Sequence, residues 1–189
     1  MLEDRIRGQR PIADDIKQRC ALLEKAYAEH KRRLVTISAV IVGEKHQAED
    51  IVHDVFTHLA VDGGVPRDVR KWGAYLAVCV RNRALVFLRK RQAEEGRAAR
   101  MAQTADNLRA EDPADLASRA EEDSNLLKLV DQLPGEERDA LALKVWGGLG
   151  FRDIARLQNV TKSTAHARYC RALERLNRRL AGGIGDEGL

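Results

Sequence analysis

Apolar residues recur at three- and four-residue intervals from about Ile12 to Leu59, as in Leu34, Ile37 and Ile41 and then Ile51, Val55 and Leu59. This spacing gathers side chains on one face of an α-helix. Gly43 interrupts the two runs, and the second opens at Gln47, Ala48, Glu49 and Asp50, where carboxylates in a first turn would complement the amide dipoles. Asp62, Gly63, Gly64, Val65 and Pro66 form a turn signal. A third helix is predicted from about Asp68 to Gln92, with Trp72, Tyr75, Leu76, Cys79, Val80, Ala84, Phe87 and Leu88 as its apolar side and Arg89, Lys90 and Arg91 in its last turns. From Ala93 to about Glu122 the chain is rich in Ala, Glu, Asp and Arg and has little to bury, the composition of a linker.

The pattern resumes at Leu126, Leu127, Leu129, Val130 and Leu133, and Pro134 with Gly135 stops it. A helix then carries Ala140, Leu141, Leu143, Lys144 and Trp146 and ends at Gly147 and Gly148. A short helix from Phe151 to Leu157, a tight connection at Gln158, Asn159 and Val160, and a long basic helix from Lys162 make a helix-turn-helix arrangement. Asn159 suits a left-handed turn position, Thr161 suits a helix cap, and Ala155 is small enough for two helices to cross closely. On a helical wheel Ala165, Tyr169, Ala172 and Leu176 point inward, and Ser163, Ala167, Cys170, Arg171 and Arg178 point outward. Thr164, His166, Arg168 and Arg175 lie on the flanks. Small polar residues in the first turns would let base edges approach, and the arginines further along would reach phosphates.

Charge sharpens the division. The net charge of the 189 residues is only +4, with 33 % charged and 4 % aromatic residues, a balance suited to helices with narrow apolar stripes. Arg67 to Arg91 holds eight bases and one acid, Ala93 to Ser124 nine acids and four arginines, and Lys162 to Leu180 six bases and one acid. Two basic segments flanking an acidic tether fit two nucleic-acid-facing modules, although three solvated helical faces would carry the same charges. The sequence therefore predicts an all-α protein of two small helical domains joined by a linker, the C-terminal one a helix-turn-helix. The expected units are an N-terminal domain over 1–92, an acidic flexible linker over 93–124, the C-terminal domain over 125–182 and a tail over 183–189.

The three cysteines, Cys20, Cys79 and Cys170, are widely separated and have no C-x-x-C spacing. No apolar run suits a bilayer and no signal-peptide core is evident, so a cytoplasmic protein without membrane insertion is expected. His53 and His58 are about 140° apart on a helix, and His46 to His53 spans roughly 10 Å of rise, so no metal-ligand set converges. Gly147, Gly148 and Gly150 lack the Lys-Ser/Thr of a phosphate loop. No cofactor, metal or catalytic activity of the chain itself is expected.

Leu133-Pro134, Arg138, Leu149-Gly150-Phe151, Asp153-Ile154-Ala155, Val160-Thr161, Thr164, Arg168 and Arg171-Ala172-Leu173 together resemble the promoter-recognising C-terminal domain of extracytoplasmic-function sigma factors, of the sigma-70 superfamily. Asp153 replaces the family's usual Glu and Ala165 its usual Val. The stretch Ala48-Glu49-Asp50-Ile51-Val52-His53-Asp54-Val55-Phe56 is similar to the family's A-x-D-L-V-Q-E-V-F segment. Trp72, Tyr75-Leu76, Arg81-Asn82 and Leu88-Arg89 are similar to its W-x-Y-L, R-N and L-R elements. His53 departs from the common Gln, and Val86 stands where an Asp usually follows Asn82 by four residues. The resemblance spans roughly Ala28 to Arg91 and Asn125 to Leu180.

The resemblance implies a transcription initiation factor whose partners are core RNA polymerase, promoter DNA and an anti-sigma factor or other protein regulator. Carried over residue by residue, Asp50, His53, Asp54 and Phe56 would bind core polymerase. Arg67, Arg70, Lys71, Trp72, Arg81, Asn82, Arg89 and Lys90 would melt and read the start-proximal element. Lys162, Ser163, Thr164, His166, Ala167, Arg168, Arg171 and Arg175 would read the upstream element. Repressors share the helix-turn-helix, so a non-initiating DNA-binding regulator is the main alternative, distinguished by tight duplex binding without polymerase. An adaptor that binds polymerase or an inhibitor without reading DNA would tolerate loss of Arg168, Arg171 and Arg175.

Overall fold

The computed structural model describes residues 12–62, 72–102 and 127–183. Among them all regular structure is helical: α1 (Ile12–Val42), α2 (Lys45–Asp62), α3 (Trp72–Ala102), α4 (127–131), α5 (Gly135–Val145), α6 (Phe151–Gln158) and α7 (Lys162–Gly183). No described helix is long and apolar enough to cross a membrane.

Helices α1, α2 and α3 pack on one another. Their fully buried side chains include Leu34, Ile37, Val52, Leu76 and Val80, the stripes that the periodicity marks. Each such burial stabilises by roughly 1.5–3 kcal/mol. Gly43, at φ +83°, turns the chain between α1 and α2, and α2 starts at Lys45. Glu49 and Asp50 thus lie beyond the first turn, and the dipole role expected of them is absent. Helix α3 also runs further than its apolar pattern, to Ala102, so the first residues of the segment read as a flexible linker are helical. Arg91 pairs with Glu95 at 2.8 Å and Lys90 with Glu94 at 3.9 Å. Such one-turn pairs and an alanine-rich composition can extend a helix without a buried face.

In the C-terminal half, α5 carries four consecutive buried apolar residues, Ala140, Leu141, Ala142 and Leu143. At 100° per residue these point nearly all round the helix, which requires neighbours on more than one side. Helix α7 covers one side, and α1 of the N-terminal half covers another. The two halves therefore meet at α5. Arg33 of α1 donates to the carbonyls of Trp146 and Gly147, the latter at 2.8 Å, just past the C-terminal end of α5. A guanidinium there satisfies orphan carbonyls and complements the negative end of the helix dipole.

Candidate nucleic-acid and polymerase interfaces

The connection from α6 to α7 is built as its residues dictate. Asn159 adopts φ 53°, ψ 49° and its N–H returns to Ala155 and Arg156, using the tolerance of Asn for the left-handed region. Thr161 Oγ1 accepts from the Thr164 N–H at 3.1 Å and lies 2.8 Å from the Ser163 hydroxyl, which caps α7 and ties down its first turn. Lys162, Ser163 and His166 are exposed there, with Thr164 and Ala167 half-buried. The His166 ring stands edge-on to Phe151, with centroids 4.9 Å apart.

The three arginines placed on this surface by the sequence have unequal roles. Arg168 is spent inside the module: its Nη1 donates to Gln158 Oε1 at 2.9 Å, its Nη2 to Glu136, and its side chain is only 13 % exposed. It anchors α7 to the turn and to the start of α5. Arg171 and Arg175, 50 % and 44 % exposed, both face the carboxylate of Glu137, which is 7 % exposed. Arg152 and Arg156, exposed on α6 four residues apart, extend the basic surface. Their helical spacing beside the turn could have marked them in the sequence.

The N-terminal half divides similarly. Asp50 and His53 are exposed on α2, and Asp54 is half-buried with Arg83 Nε 2.5 Å from its Oδ2. Phe56 corrects the sequence reading: it is 9 % exposed and its ring meets Tyr27 edge-on at 4.9 Å, so it is a core residue in place of a surface anchor. It follows Val55 and Val52 onto the buried side of α2, and an aromatic gains more there than in water. On α3, Asn82, Arg89 and Lys90 are exposed and Trp72 is half-buried, edge-on to Tyr75. Arg67, Arg70 and Lys71 lie outside the described residues.

Arg81 is the second correction, because it is buried and does not face solvent. Its Nε and Nη2 donate to the two carboxylate oxygens of Asp139 on α5 at 2.8 and 2.7 Å, a bidentate pair between the two halves. Asp139 Oδ2 also accepts from Gln158 Nε2 at 2.9 Å, and Gln158 holds Arg168. One continuous network thus runs from α3 through α5 to the DNA-reading candidate α7. Beside it a cleft of about 340 Å³ opens between α3 and α6, lined by Ala74, Tyr75, Val78, Leu149 and Leu157 among others. Burial pushes the nearby Cys79 thiol above its ordinary 9.0, with a hydrogen bond to Tyr75 opposing, and pushes Tyr75 above 10.0.

The arrangement can present the basic face of α7 to a groove, offer acidic residues on α2 to a basic partner, and bury one candidate DNA contact between the halves. Residues 26–94 match the family model for sigma-70 region 2 and residues 123–176 that for sigma-70 region 4, together about two thirds of the chain. Among curated proteins none matches. The fold is similar to that of the sigma factor RpoE in its co-crystal structure with the anti-sigma factor NepR from Bartonella quintana. That likeness has a TM-score of 0.59 at 24 % identity and covers 88 % of this chain and 97 % of that one. With a region 2 and a region 4 on one chain in sequence order, this protein belongs to the sigma-70 family, the initiation factors that direct RNA polymerase to promoters.

Proposed function

We propose that the chain is a sigma factor of the extracytoplasmic-function type, working in the cytoplasm, in which region 4 reads an upstream element through α7 and region 2 binds polymerase and opens the start-proximal element. The observation that supports this most is the exposed, capped first turn of α7 behind the left-handed Asn159 turn. It offers Lys162, Ser163, Thr164, His166 and Ala167 to base edges, and Arg171 and Arg175, joined by Arg152 and Arg156, to phosphates. Asp50, His53 and Asp54 are the polymerase contacts on α2. Trp72, Asn82, Arg89 and Lys90, with Arg67, Arg70 and Lys71, serve the melted strand, where cations guide the backbone and a ring can stack on a base. Arg81 joins them once Asp139 releases it. The catalytic chemistry is the polymerase's.

The proposed units are 1–92, a connecting segment over 93–124 whose first residues, to Ala102, continue α3, then 125–182 and the tail 183–189. An anti-sigma factor is the natural regulator, by analogy with the complex of RpoE with the anti-sigma factor NepR. The test is transcription from a fragmented bacterial genome by purified core polymerase, with transcript starts sequenced. New starts sharing paired upstream elements, abolished by Asp50→Lys with Asp54→Lys, are expected. Absence of new starts while the chain binds duplex alone would overturn the reading.

A further inference from the structure

Arg171 and Arg175 lie one turn apart on α7, on the same side of the helix. Arg171 Nε donates to Glu137 Oε1 at 3.1 Å. Arg175 Nε lies 3.0 Å from Glu137 Oε2 as an ion pair. A single carboxylate, rooted in the first turn of α5 and almost fully buried, therefore holds Arg171 by a hydrogen bond at its inner nitrogen and Arg175 by charge alone, since Glu137 Oε2 has no hydrogen-bond partner among the described residues. Among the described residues the terminal amino groups of both arginines have no further hydrogen-bond partner, and both side chains are about half exposed. A guanidinium gripped at Nε alone keeps its end-on edge, formed by the two amino groups, free for a second acceptor, the geometry that meets phosphate oxygens in a fork. Arg168, with both amino groups consumed, shows the contrasting case.

We propose that Glu137 is a positioning residue for DNA binding: it sets Arg171 and Arg175 as a pre-aligned pair of forks for backbone phosphates. The inference rests on the proposed reading of α7 as the DNA-facing helix. Its consequence runs against simple electrostatics, because an acid at a DNA-binding surface should weaken binding, and removing it should strengthen it. A phosphate bound by the outer amino groups would sit about 7 Å from the carboxylate, where one like charge costs about threefold in affinity at the dielectric of water and up to about tenfold, after screening by salt, at the effective dielectric of about 20 that suits a buried acid near a surface. Pre-ordering a long side chain is worth roughly two- to tenfold per arginine. Two arginines held together gain about four- to a hundredfold against a repulsion of about three- to tenfold, so positioning outweighs repulsion over most of that range.

The experiment titrates the full chain against a fluorescent mixed-sequence duplex by anisotropy, from about 50 to 200 mM salt, for wild type, Glu137→Gln, Arg171→Ala/Arg175→Ala and the triple variant. Thermal melts confirm that each is folded. Each phosphate contact contributes about 0.9 to the slope of log affinity against log salt. The double arginine variant should bind more weakly, with a slope shallower by up to about 2. Glu137→Gln should also bind several-fold more weakly with a shallower slope, and should add nothing in the double-arginine background. Glu137→Asp, a shorter carboxylate that restores the charge without the reach, should recover only part of the loss. If Glu137→Gln binds more tightly while the arginine variant binds more weakly, the positioning role is overturned and α7 remains DNA-facing. If the arginine variant binds like wild type, the DNA-facing reading of this part of α7 fails and the inference fails with it.

Discussion

Replacing Asp139 with Asn should part the two halves of the molecule. The Arg81 and Asp139 side chains are 9 % and 8 % exposed, and two hydrogen bonds of 2.8 and 2.7 Å join them. Removing one member of a buried pair costs about 3–5 kcal/mol, because the remaining charge is left dry. Here the stranded charge has an escape, since separation of α3 from α5 lets water reach Arg81. The cost is therefore capped by the free energy that holds the halves together, to which Arg33 adds its bonds to the Trp146 and Gly147 carbonyls. Small-angle scattering should show a larger radius of gyration for Asp139→Asn than for wild type. Thermal unfolding should change from one transition to two, with a loss of at most about 5 kcal/mol in the first. Arg81→Ala should behave alike, and combining the two should cost less than the sum of both. Unchanged scattering and unchanged unfolding in both single variants would refute the reasoning.

Other outcomes follow from single sites. Phe56→Ala should lower stability in urea by about 3–5 kcal/mol, since it empties a core position against Tyr27; a loss below about 1 kcal/mol would return Phe56 to the surface. Asn159→Ala should cost about 1–2 kcal/mol in the unfolding of the C-terminal half and Asn159→Gly much less, because the position holds φ 53°. Equal losses from the two would show that the side chain and not the backbone matters. Cys79 is held protonated by burial, its folded value lying above 9.0. Its contribution is thus complete below pH 9 and is lost as pH rises through the folded value. Urea unfolding at pH 8 and pH 10 should show wild type losing more stability than Cys79→Ala across that interval.

The helix-turn-helix was the most legible part of the chain, because local chemistry specifies it. Asn159 takes the left-handed turn and Thr161 caps α7 through the Thr164 N–H, both within a few residues of the helix they shape. The all-helical class followed from apolar spacing for the same reason. Helix ends were less legible: α3 outruns its apolar stripe because one-turn ion pairs leave no hydrophobic signal. Least legible was everything that depends on distant partners. Arg81 reads as one more cation on a basic helix until Asp139, 58 residues away, faces it. Arg168 and Arg175 both fall on the flanks of the helical wheel, yet Gln158 and Glu136 consume one while the other stays about half exposed beside Glu137. The sequence pattern gives Glu136 and Glu137 of the first turn of α5 no role; only their position opposite the arginines of α7 brings them into the site.

The network from Arg81 through Asp139 and Gln158 to Arg168 carries a further constraint on how promoters are reached. It joins the two candidate DNA-reading helices by side chains alone, so in this arrangement α3 and α7 cannot occupy elements many base pairs apart, each step being about 3.4 Å along the duplex. Arg81 also cannot serve Asp139 and a DNA strand at once. Reading two separated elements therefore requires this pair to break, and the connection between Ala102 and residue 127 is long enough to allow it, about 80 Å if fully extended. Promoter binding should then be opposed by closure in the free chain and relieved when polymerase holds the halves apart. If so, Asp139→Asn should strengthen duplex binding by the free chain while leaving transcription by the assembled holoenzyme nearly unchanged. Equal gains in both assays would mean that Asp139 acts on DNA through its charge and not through the closed arrangement.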